Sequence, residues 1–219
     1  MNSHRDLPAI LDSVQISPRH LPKVPEIALY LMQDQVPEHH LQQQDYQRLM
    51  EAPPYWAFCW GGGQALARWI LDNPAVVQGR RVVDFGAGSG VAGVAAALAG
   101  AEAVVCVDID DDALTACRCN GELNGVSLQT SRSLALTNGE LLLAADVCYE
   151  DTGYSGVINH MAAAGDVVVA ESRLRNLAER FPQLRRVGEM RVRTLPDLEE
   201  SENYDLVHIF RSYQFPKIL

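Results

Sequence analysis

The segment Val82-Val83-Asp84-Phe85-Gly86-Ala87-Gly88-Ser89-Gly90 decides the fold that this sequence predicts. Apolar β-branched and aromatic residues are followed by a run rich in glycine, which is typical of a short buried strand that turns sharply into a helix opening at about Gly90. Glycine suits such a loop because it lacks a Cβ that would keep a ligand from the backbone, and because it adopts positive φ angles readily. The amides of the loop and of the helix start then face the ligand.

A second apolar run, residues 103–107, ends at Asp108. An acidic side chain at the carboxyl end of the second strand of such a unit can accept hydrogen bonds from both hydroxyls of a ribose. Together, the glycine loop and Asp108 predict a βαβ unit that binds a nucleoside.

Two classes of nucleoside cofactor fit this unit. Residues 88–93 match the G-x-G-x-x-G fingerprint of dinucleotide-binding proteins, which predicts an NAD-binding oxidoreductase. However, Gly86 closes the turn after the strand, and a long segment precedes Val82, whereas a dinucleotide domain often begins with this strand. Residues 84–90 resemble motif I of class I S-adenosylmethionine-dependent methyltransferases. That resemblance implies that Asp84 orients the loop and that S-adenosylmethionine is held by Asp84, Gly86, Gly88, Gly90 and Asp108.

Length and charge limit the remaining possibilities. The 219 residues suffice for one α/β domain, predicted over residues 53–219, preceded by an N-terminal arm over residues 1–52. No apolar run approaches the length of a membrane span and the N terminus lacks a signal-peptide core, so we expect a cytoplasmic protein. The net charge of −10 disfavours non-specific binding to nucleic acid.

Two groups of residues outside the glycine loop have alternative interpretations. The five cysteines are scattered without a C-x-x-C pair, so we expect reduced, buried side chains, and we predict no metal site. Seven arginines fall between Arg173 and Arg193. They form either the solvated face of a helix and a strand or a surface that faces an acidic partner.

Periodicity and turn residues predict an α/β fold, with a three-layer, Rossmann-like arrangement around a seven-stranded, mostly parallel sheet. The predicted strands are residues 82–85, 103–107, 127–130, 141–145, 166–170, 184–194 and 204–213. The predicted helices are residues 64–71, 90–99, 110–124 and 174–181. Within the proline-rich arm, residues 26–32 are predicted as a short helix.

Residues 53–64, Pro-Pro-Tyr-Trp-Ala-Phe-Cys-Trp-Gly-Gly-Gly-Gln, form the second informative stretch. Aromatic side chains beside a glycine turn, just before a cofactor-binding strand, are expected to form a wall of the ligand pocket. We predict that Trp60 contacts the cofactor and that Tyr55 and Trp56 face the substrate. Alternatively, some of these rings form an apolar plug between the arm and the sheet.

Several short motifs together resemble the electron transfer flavoprotein β-subunit lysine methyltransferase family. The resemblance is close over about residues 50–150 and weak elsewhere. This sequence has Gly61 where the commoner family form, W-P-G-G, has proline. The motifs are Pro54-Tyr55-Trp56-Ala57, Gly62-Gly63-Gln64-Ala65-Leu66-Ala67-Arg68, Leu71-Asp72-Asn73-Pro74, Asp84-Phe85-Gly86, Asp108-Ile109-Asp110 and Asn120-Gly121-Glu122-Leu123-Asn124.

The family resemblance also implies roles at the end of the fourth strand. Asp146-x-x-Tyr149 resembles the D-x-x-Y motif of lysine-methylating seven-strand enzymes, which implies that Asp146 orients the incoming amine and that Tyr149 shapes its channel. Glu150 is then expected to contact substrate, and Ser131 to offer a polar contact to adenine. Alternatively, Asp146 only caps its strand. The N/D-P-P-Y motif of enzymes that methylate bases or glutamine amides is absent.

The resemblance implies a protein-lysine N-methyltransferase whose partner is the electron transfer flavoprotein β-subunit. The alternatives are methylation of another protein such as a ribosomal protein, methylation of RNA, an NAD-binding oxidoreductase, and a catalytically silent cofactor-binding protein. The sequence leaves the oligomeric state open.

Overall fold

The protein is built on a twisted sheet of seven strands, most of them parallel. A computed structural model describes residues 7–10, 14–33, 47, 49–133, 140–148, 155–159, 165–174, 177–199 and 201–212. The strands are β3 Arg81–Phe85, β4 Ala103–Val107, β5 Gln129–Ser131, β6 Leu141–Ala145, β7 Asp166–Glu171, β8 Leu184–Arg191 and β9 Leu206–Ser212. Their order in the sheet is β5-β4-β3-β6-β7-β9-β8, in which β9 is antiparallel to both of its neighbours. This confirms the predicted fold class.

Helices cover the sheet at the predicted places. They are α1 Gly61–Asp72, α2 Val91–Leu98, α3 Asp111–Leu123 and α4 Leu177–Arg180, with short 3-10 turns at Tyr55–Ala57, Pro74–Val76 and Glu202–Tyr204. Asp110 is the N-cap of α3, and its side chain accepts a hydrogen bond from Asp112 N–H, so the acidic run opens this helix as its position predicted. Of the helices that the described residues form, none is both long and apolar enough to cross a membrane.

The central strands are buried on both faces, as parallel strands between helical layers must be. In β6, Leu141 and Leu143 belong to the core beneath α1 and α2, whereas Leu142 belongs to the core on the opposite face. This alternation explains why the strand reads as a continuous apolar run. All five cysteines are buried and none forms a disulfide, as predicted.

Residues 26–32 were predicted as a helix, and this is wrong. They belong to β2, Val24–Met32, which pairs antiparallel with β1, Ile16–Leu21, across a turn. Ile27, Leu29 and Leu31 are each fully buried. Their spacing of two places them on one face of a strand, where they can all contact the core, whereas in a helix they would diverge.

The hairpin β1-β2 is attached to the central sheet and its helices by hydrogen bonds as well as by apolar packing. Its buried side chains lie in the same hydrophobic cluster as residues of α1, α2 and the central sheet. The fully buried amide of Gln64 accepts a hydrogen bond from Lys23 N–H at 2.9 Å and donates to the Arg193 carbonyl at 3.3 Å. Therefore the glutamine of the G-G-Q-A motif joins the N-terminal hairpin to the segment after β8.

We expect Leu29→Ala to lower the free energy of unfolding by about 2 to 5 kcal/mol, because it removes a fully buried side chain from the shared core. Urea denaturation should still show one transition, since the hairpin and sheet share that core. Lys23→Ala, an exposed change in the same hairpin, is the control and should shift stability by less than about 0.5 kcal/mol. A separate low-urea transition for the hairpin would contradict this expectation.

Candidate active site

Four acidic side chains meet where the carboxyl ends of the parallel strands converge. Asp84 lies at the end of β3, Asp108 follows β4, Asp146 follows β6, and Glu171 ends β7. Successive connections run to opposite sides of β3, toward β4 on one side and β6 on the other. In open α/β sheets, ligands bind at this kind of switch point.

The glycine loop after β3 is held in a conformation that only glycine adopts readily. Gly86, Gly88 and Gly90 have φ angles of 67°, 51° and 75°. A Cβ at Gly86 would lie 2.5 Å from Val147 Cγ1, and one at Gly90 would lie 2.9 Å from Cys117 Sγ. At Gly88, no heavy atom of the described residues lies within 4 Å of the Cβ position. The loop is therefore packed at both ends and open in the middle, where a ligand would approach.

Asp84 is 2% exposed and holds the loop to the helix that follows it. Its Oδ2 accepts a hydrogen bond from Gly93 N–H, in the first turn of α2, at 2.8 Å. Burial raises the pKa of Asp84 to about 7, against the lowering effect of the Gly93 bond, and the charge of Asp108 adds to the rise. The predicted role of Asp84 in orienting the loop stays a prediction.

Asp108 faces the glycine loop from the neighbouring strand. Its Oδ2 accepts from Gly88 N–H at 2.9 Å and its Oδ1 accepts from Asp110 N–H at 3.1 Å. The carboxylate thus reaches the open centre of the loop. Its contact with a ribose stays a prediction.

Ser131 ends β5 near the same edge, but its hydroxyl is already engaged. It donates to the Ser133 carbonyl at 2.9 Å and accepts from Ser133 N–H at 3.2 Å. An adenine contact through this hydroxyl would have to share or replace these bonds, and it stays a prediction.

The aromatic segment before α1 divides into buried and exposed rings. Trp56 is 2% exposed and packs against Ala113 and Ala116 of α3, so it forms part of the predicted plug; a contact with substrate would require this packing to change. Tyr55 is 51% exposed. Trp60 is the N-cap of α1, and its indole N–H donates to the Tyr55 carbonyl at 3.1 Å.

Trp60 stands in a group of side chains at the edge of the site. Its ring centroid lies 5.8 Å from that of Tyr55, in an edge-on arrangement. The guanidinium of Arg173 lies 6.0 Å from the Trp60 ring and 4.6 Å from the Tyr204 ring. The Arg173 guanidinium thus lies within reach of two aromatic rings, and its charge also acts to lower the pKa of Asp146.

Asp146 is the most constrained residue of the site. Its Oδ2 accepts from Gly62 N–H at 2.6 Å, and its Oδ1 accepts from the backbone N–H and the hydroxyl of Ser172 at 3.0 and 2.8 Å. Its backbone has a φ of 50°, a conformation that non-glycine residues rarely adopt. Burial raises the pKa of the carboxyl, and these bonds oppose the rise.

Gly62 explains why the motif before α1 is rich in glycine. A Cβ there would lie 2.6 Å from Asp146 Cγ, which is an overlap with the carboxylate. Gly62 is at the second position of α1, where N–H groups lack partners within the helix and the helix dipole favours an anion. Close approach of a helix N terminus to Asp146 therefore requires glycine.

Glu171 was given no role from the sequence. It is fully buried, and its Oε1 and Oε2 accept from Arg173 N–H at 3.0 Å and Cys148 N–H at 3.3 Å. Burial raises its pKa to about 7, the charge of Asp146 adds to the rise, and the backbone bonds oppose it. Glu171 thus ties the segment after β6 to the segment after β7. The sequence signal that could have identified Glu171 is an acidic residue at the end of an otherwise apolar strand.

Tyr149 and Glu150 lie outside the described residues, so their predicted roles stay predictions. No group of three or more His, Cys, Asp or Glu within the described part of the chain could hold a metal ion. The arginines of the basic cluster that the structure describes are exposed, and some pair with nearby acids: Arg186 with Glu189 at 3.2 Å and Arg193 with Asp197 at 3.1 Å.

Gly62→Ala should destabilise the fold by about 1 to 3 kcal/mol, because its Cβ overlaps the Asp146 carboxylate. The cost should largely disappear in an Asp146→Gly background, which removes the carboxylate and tolerates the positive φ. A double-mutant cycle of unfolding free energies measures this coupling. Equal costs of Gly62→Ala in both backgrounds would show that the overlap is not the cause.

Asp84→Asn should gain stability relative to the wild type as the pH rises. The raised pKa means that folded Asp84 binds a proton more tightly than in the unfolded chain, so its contribution to stability is present below about pH 4 and is lost as the pH rises through about 7. Asparagine can still accept from Gly93 N–H but carries no charge. The difference in unfolding free energy should grow by a few kcal/mol over this window. A constant difference from pH 4 to 8 would contradict the assignment.

Comparison with known proteins places this site in a family. The family model of the ribosomal protein L11 methyltransferase matches residues 65–151. The crystal structure of magnesium protoporphyrin IX methyltransferase from Synechocystis, with bound S-adenosylmethionine, superposes with a TM-score of 0.51 at 16% identity, covering 71% of this chain and 80% of that one. This likeness shows the class I methyltransferase fold.

Two curated relatives carry the same name. The electron transfer flavoprotein beta subunit lysine methyltransferase of Xenopus laevis is 34% identical over 194 residues, covering 84% of this chain and 78% of the relative. Its Danio rerio counterpart is 42% identical over 109 residues, which are 48% of this chain and 42% of that protein. The protein is therefore an S-adenosylmethionine-dependent methyltransferase that belongs to the electron transfer flavoprotein beta subunit lysine methyltransferase family, as its motifs predicted.

Proposed function

We propose that this protein methylates lysine side chains of the electron transfer flavoprotein beta subunit. The observation that carries the proposal is the 34% identity to a curated enzyme of that name along 84% of this chain, since it extends well beyond the glycine loop that all such methyltransferases need. The site supports it, because Asp146 lies at the same edge of the sheet as the glycine loop. The exposed ring of Tyr55 and the half-buried ring of Trp60 lie against each other just before α1.

S-adenosylmethionine, when bound, would supply a methyl group on its positively charged sulfonium. The lysine nitrogen would form a bond to the methyl carbon in line with the carbon–sulfur bond that breaks, and neutral S-adenosylhomocysteine would leave. The protein therefore has mainly to align the two reactants and exclude water. A lysine amine has a pKa near 10.4 in water and must lose its proton before it can attack. A pocket that excludes most of the water lowers the pKa of the lysine amine, because burial disfavours its charged form.

Asp146 is proposed to orient the amine. Its two oxygens are fixed by Gly62 and Ser172, so the carboxylate cannot rotate freely. A carboxylate has about four lone-pair sites, which leaves capacity for a further donor. Tyr55 would line the approach of the lysine, and Trp60 is proposed to contact the cofactor. Tyr149 is proposed to shape the channel, and Glu150 to contact the substrate.

The test is incubation of the purified protein with S-adenosylmethionine and recombinant electron transfer flavoprotein, followed by intact mass measurement of each subunit. Mass increments of whole methyl groups on the beta subunit alone would support the proposal, and peptide mapping would then locate the lysines. Binding of the cofactor without any mass gain on either subunit would contradict it.

A second candidate substrate is ribosomal protein L11. The match of residues 65–151 to the L11 methyltransferase model favours it, although this match covers less of the chain. Purified L11 in the same assay decides between the two.

Asp146→Asn should lower turnover at least tenfold while S-adenosylmethionine binding changes little. The asparagine amide places an N–H₂ group where the carboxylate accepted hydrogen bonds, so the side chain can no longer both hold Gly62 and Ser172 and accept from the amine. Initial rates of methylation of the protein substrate measure turnover, and calorimetric titration with S-adenosylmethionine measures cofactor binding.

Asp110→Asn is the matched control, since this acid caps α3 in an exposed position and asparagine is an equally good cap. Full turnover of the Asp146→Asn variant would remove Asp146 from the mechanism.

A further inference from the structure

We propose that Asn120 is a positioning residue for the cofactor loop, through which the N-terminal hairpin supports S-adenosylmethionine binding. Asn120 lies in the third turn of α3 and is fully buried. Both the oxygen and the nitrogen of its side-chain amide make hydrogen bonds to groups outside the helix. The inference rests on the cofactor identity of the loop and is independent of which protein is methylated.

The amide of Asn120 connects two elements far apart in sequence. Its Oδ1 accepts from Tyr30 N–H on strand β2 at 2.7 Å, and its Nδ2 donates to the Ser89 carbonyl of the glycine loop at 2.8 Å. One partner is a donor and the other an acceptor, so the orientation of the amide is fixed by its surroundings. Tyr30 and Ser89 are both buried, which makes each bond costly to lose.

Two side chains of α3, Cys117 and Asn120, contact carbonyl groups of the glycine loop. Cys117, one turn before Asn120, has its sulfur 3.4 Å from the Gly88 carbonyl. The adjacent carbonyls of Gly88 and Ser89 are therefore both turned toward α3. In a trans peptide the N–H points opposite to the carbonyl, so the Ser89 N–H is turned away from α3, whereas the Gly90 N–H donates to the Ala87 carbonyl at 2.7 Å. Asn120 and Ala87 therefore fix the peptide between Ser89 and Gly90 from both sides. Orienting these peptide planes prepares the loop for a ligand before it arrives.

The hairpin holds Asn120 in place. Asn124, one turn later, accepts from Ala28 N–H at 3.0 Å and donates to the Ala28 carbonyl at 2.6 Å, so the two asparagines pair with the outer edge of β2. Only Asn120 also reaches the cofactor loop. The N-G-E-L-N motif thus has one residue that attaches the hairpin and one that attaches both the hairpin and the loop.

Asn120 and Asn124 provide a matched pair of variants. Both changes to alanine remove a side-chain amide that bonds to β2, within α3 at Asn120 and at its C-cap at Asn124. Only Asn120→Ala leaves the Ser89 carbonyl without its donor. The dissociation constant of S-adenosylhomocysteine, measured by calorimetric titration of the full chain, should rise about tenfold or more for Asn120→Ala. It should change less than about twofold for Asn124→Ala, although both variants lower the melting temperature.

Steady-state kinetics give a second readout that a general loss of stability would not produce. For Asn120→Ala, the KM for S-adenosylmethionine should rise while kcat at saturating cofactor is kept. If alanine at position 120 prevents folding, the same comparison is made with Asn120→Asp and Asn124→Asp, which keep side-chain size and an acceptor for the β2 amide.

Hydrogen exchange tests the connection to the hairpin directly. Linkage is reciprocal, so saturating S-adenosylhomocysteine should slow exchange of the Tyr30 amide in the wild type more than that of the Ala28 amide. This difference should vanish in the Asn120 variant. Wild-type cofactor affinity in the Asn120 variant, or equal weakening by the two asparagine variants, would overturn the proposal, whichever protein is methylated.

Discussion

Buried carboxylates at the ends of parallel strands hold the N termini of two helices, and the site depends on this arrangement. Asp84 accepts from Gly93 in the first turn of α2, and Asp146 accepts from Gly62 in the first turn of α1. Each helix presents unpaired N–H groups and the positive end of its dipole to the acid. Glycine is needed at both donors, because a Cβ at Gly93 would lie 2.8 Å from Cys106 Sγ and one at Gly62 would overlap the Asp146 carboxylate.

This arrangement places carboxyl groups at the edge of the sheet where the cofactor is proposed to bind. Burial raises the pKa values of Asp84, Asp146 and Glu171, so keeping these groups ionised near neutral pH costs stability. A cationic cofactor and a lysine amine would meet an edge that is already rich in carboxylates. The positive φ of Asp146 is a further cost, accepted where the side chain must point at both α1 and the segment after β7.

The N-terminal hairpin is part of the same structure. Gln64 accepts a hydrogen bond from the turn of the hairpin, and Asn124 makes hydrogen bonds to β2. Asn120 makes hydrogen bonds to both β2 and the glycine loop. Two of the motifs that resemble the family, G-G-Q-A and N-G-E-L-N, therefore connect the hairpin to the central sheet and its helices. This gives a physical reason why they accompany the glycine loop in one sequence.

The sequence by itself determined the sheet, the glycine loop and the places of Asp84, Asp108 and Asp146. Apolar runs that end in acids mark the carboxyl ends of parallel strands, and these ends must lie on one edge. It did not determine β2, because a short apolar segment fits a helix as well as a strand until its partner strand is known.

Only the tertiary structure decided the hydrogen bond between Gly62 and Asp146, the burial of Trp56 and the two hydrogen bonds of the Asn120 side chain. These contacts join residues far apart in the chain. The secondary-structure propensity of a short segment does not predict these contacts. Each depends on which backbone groups the folded chain leaves without a partner.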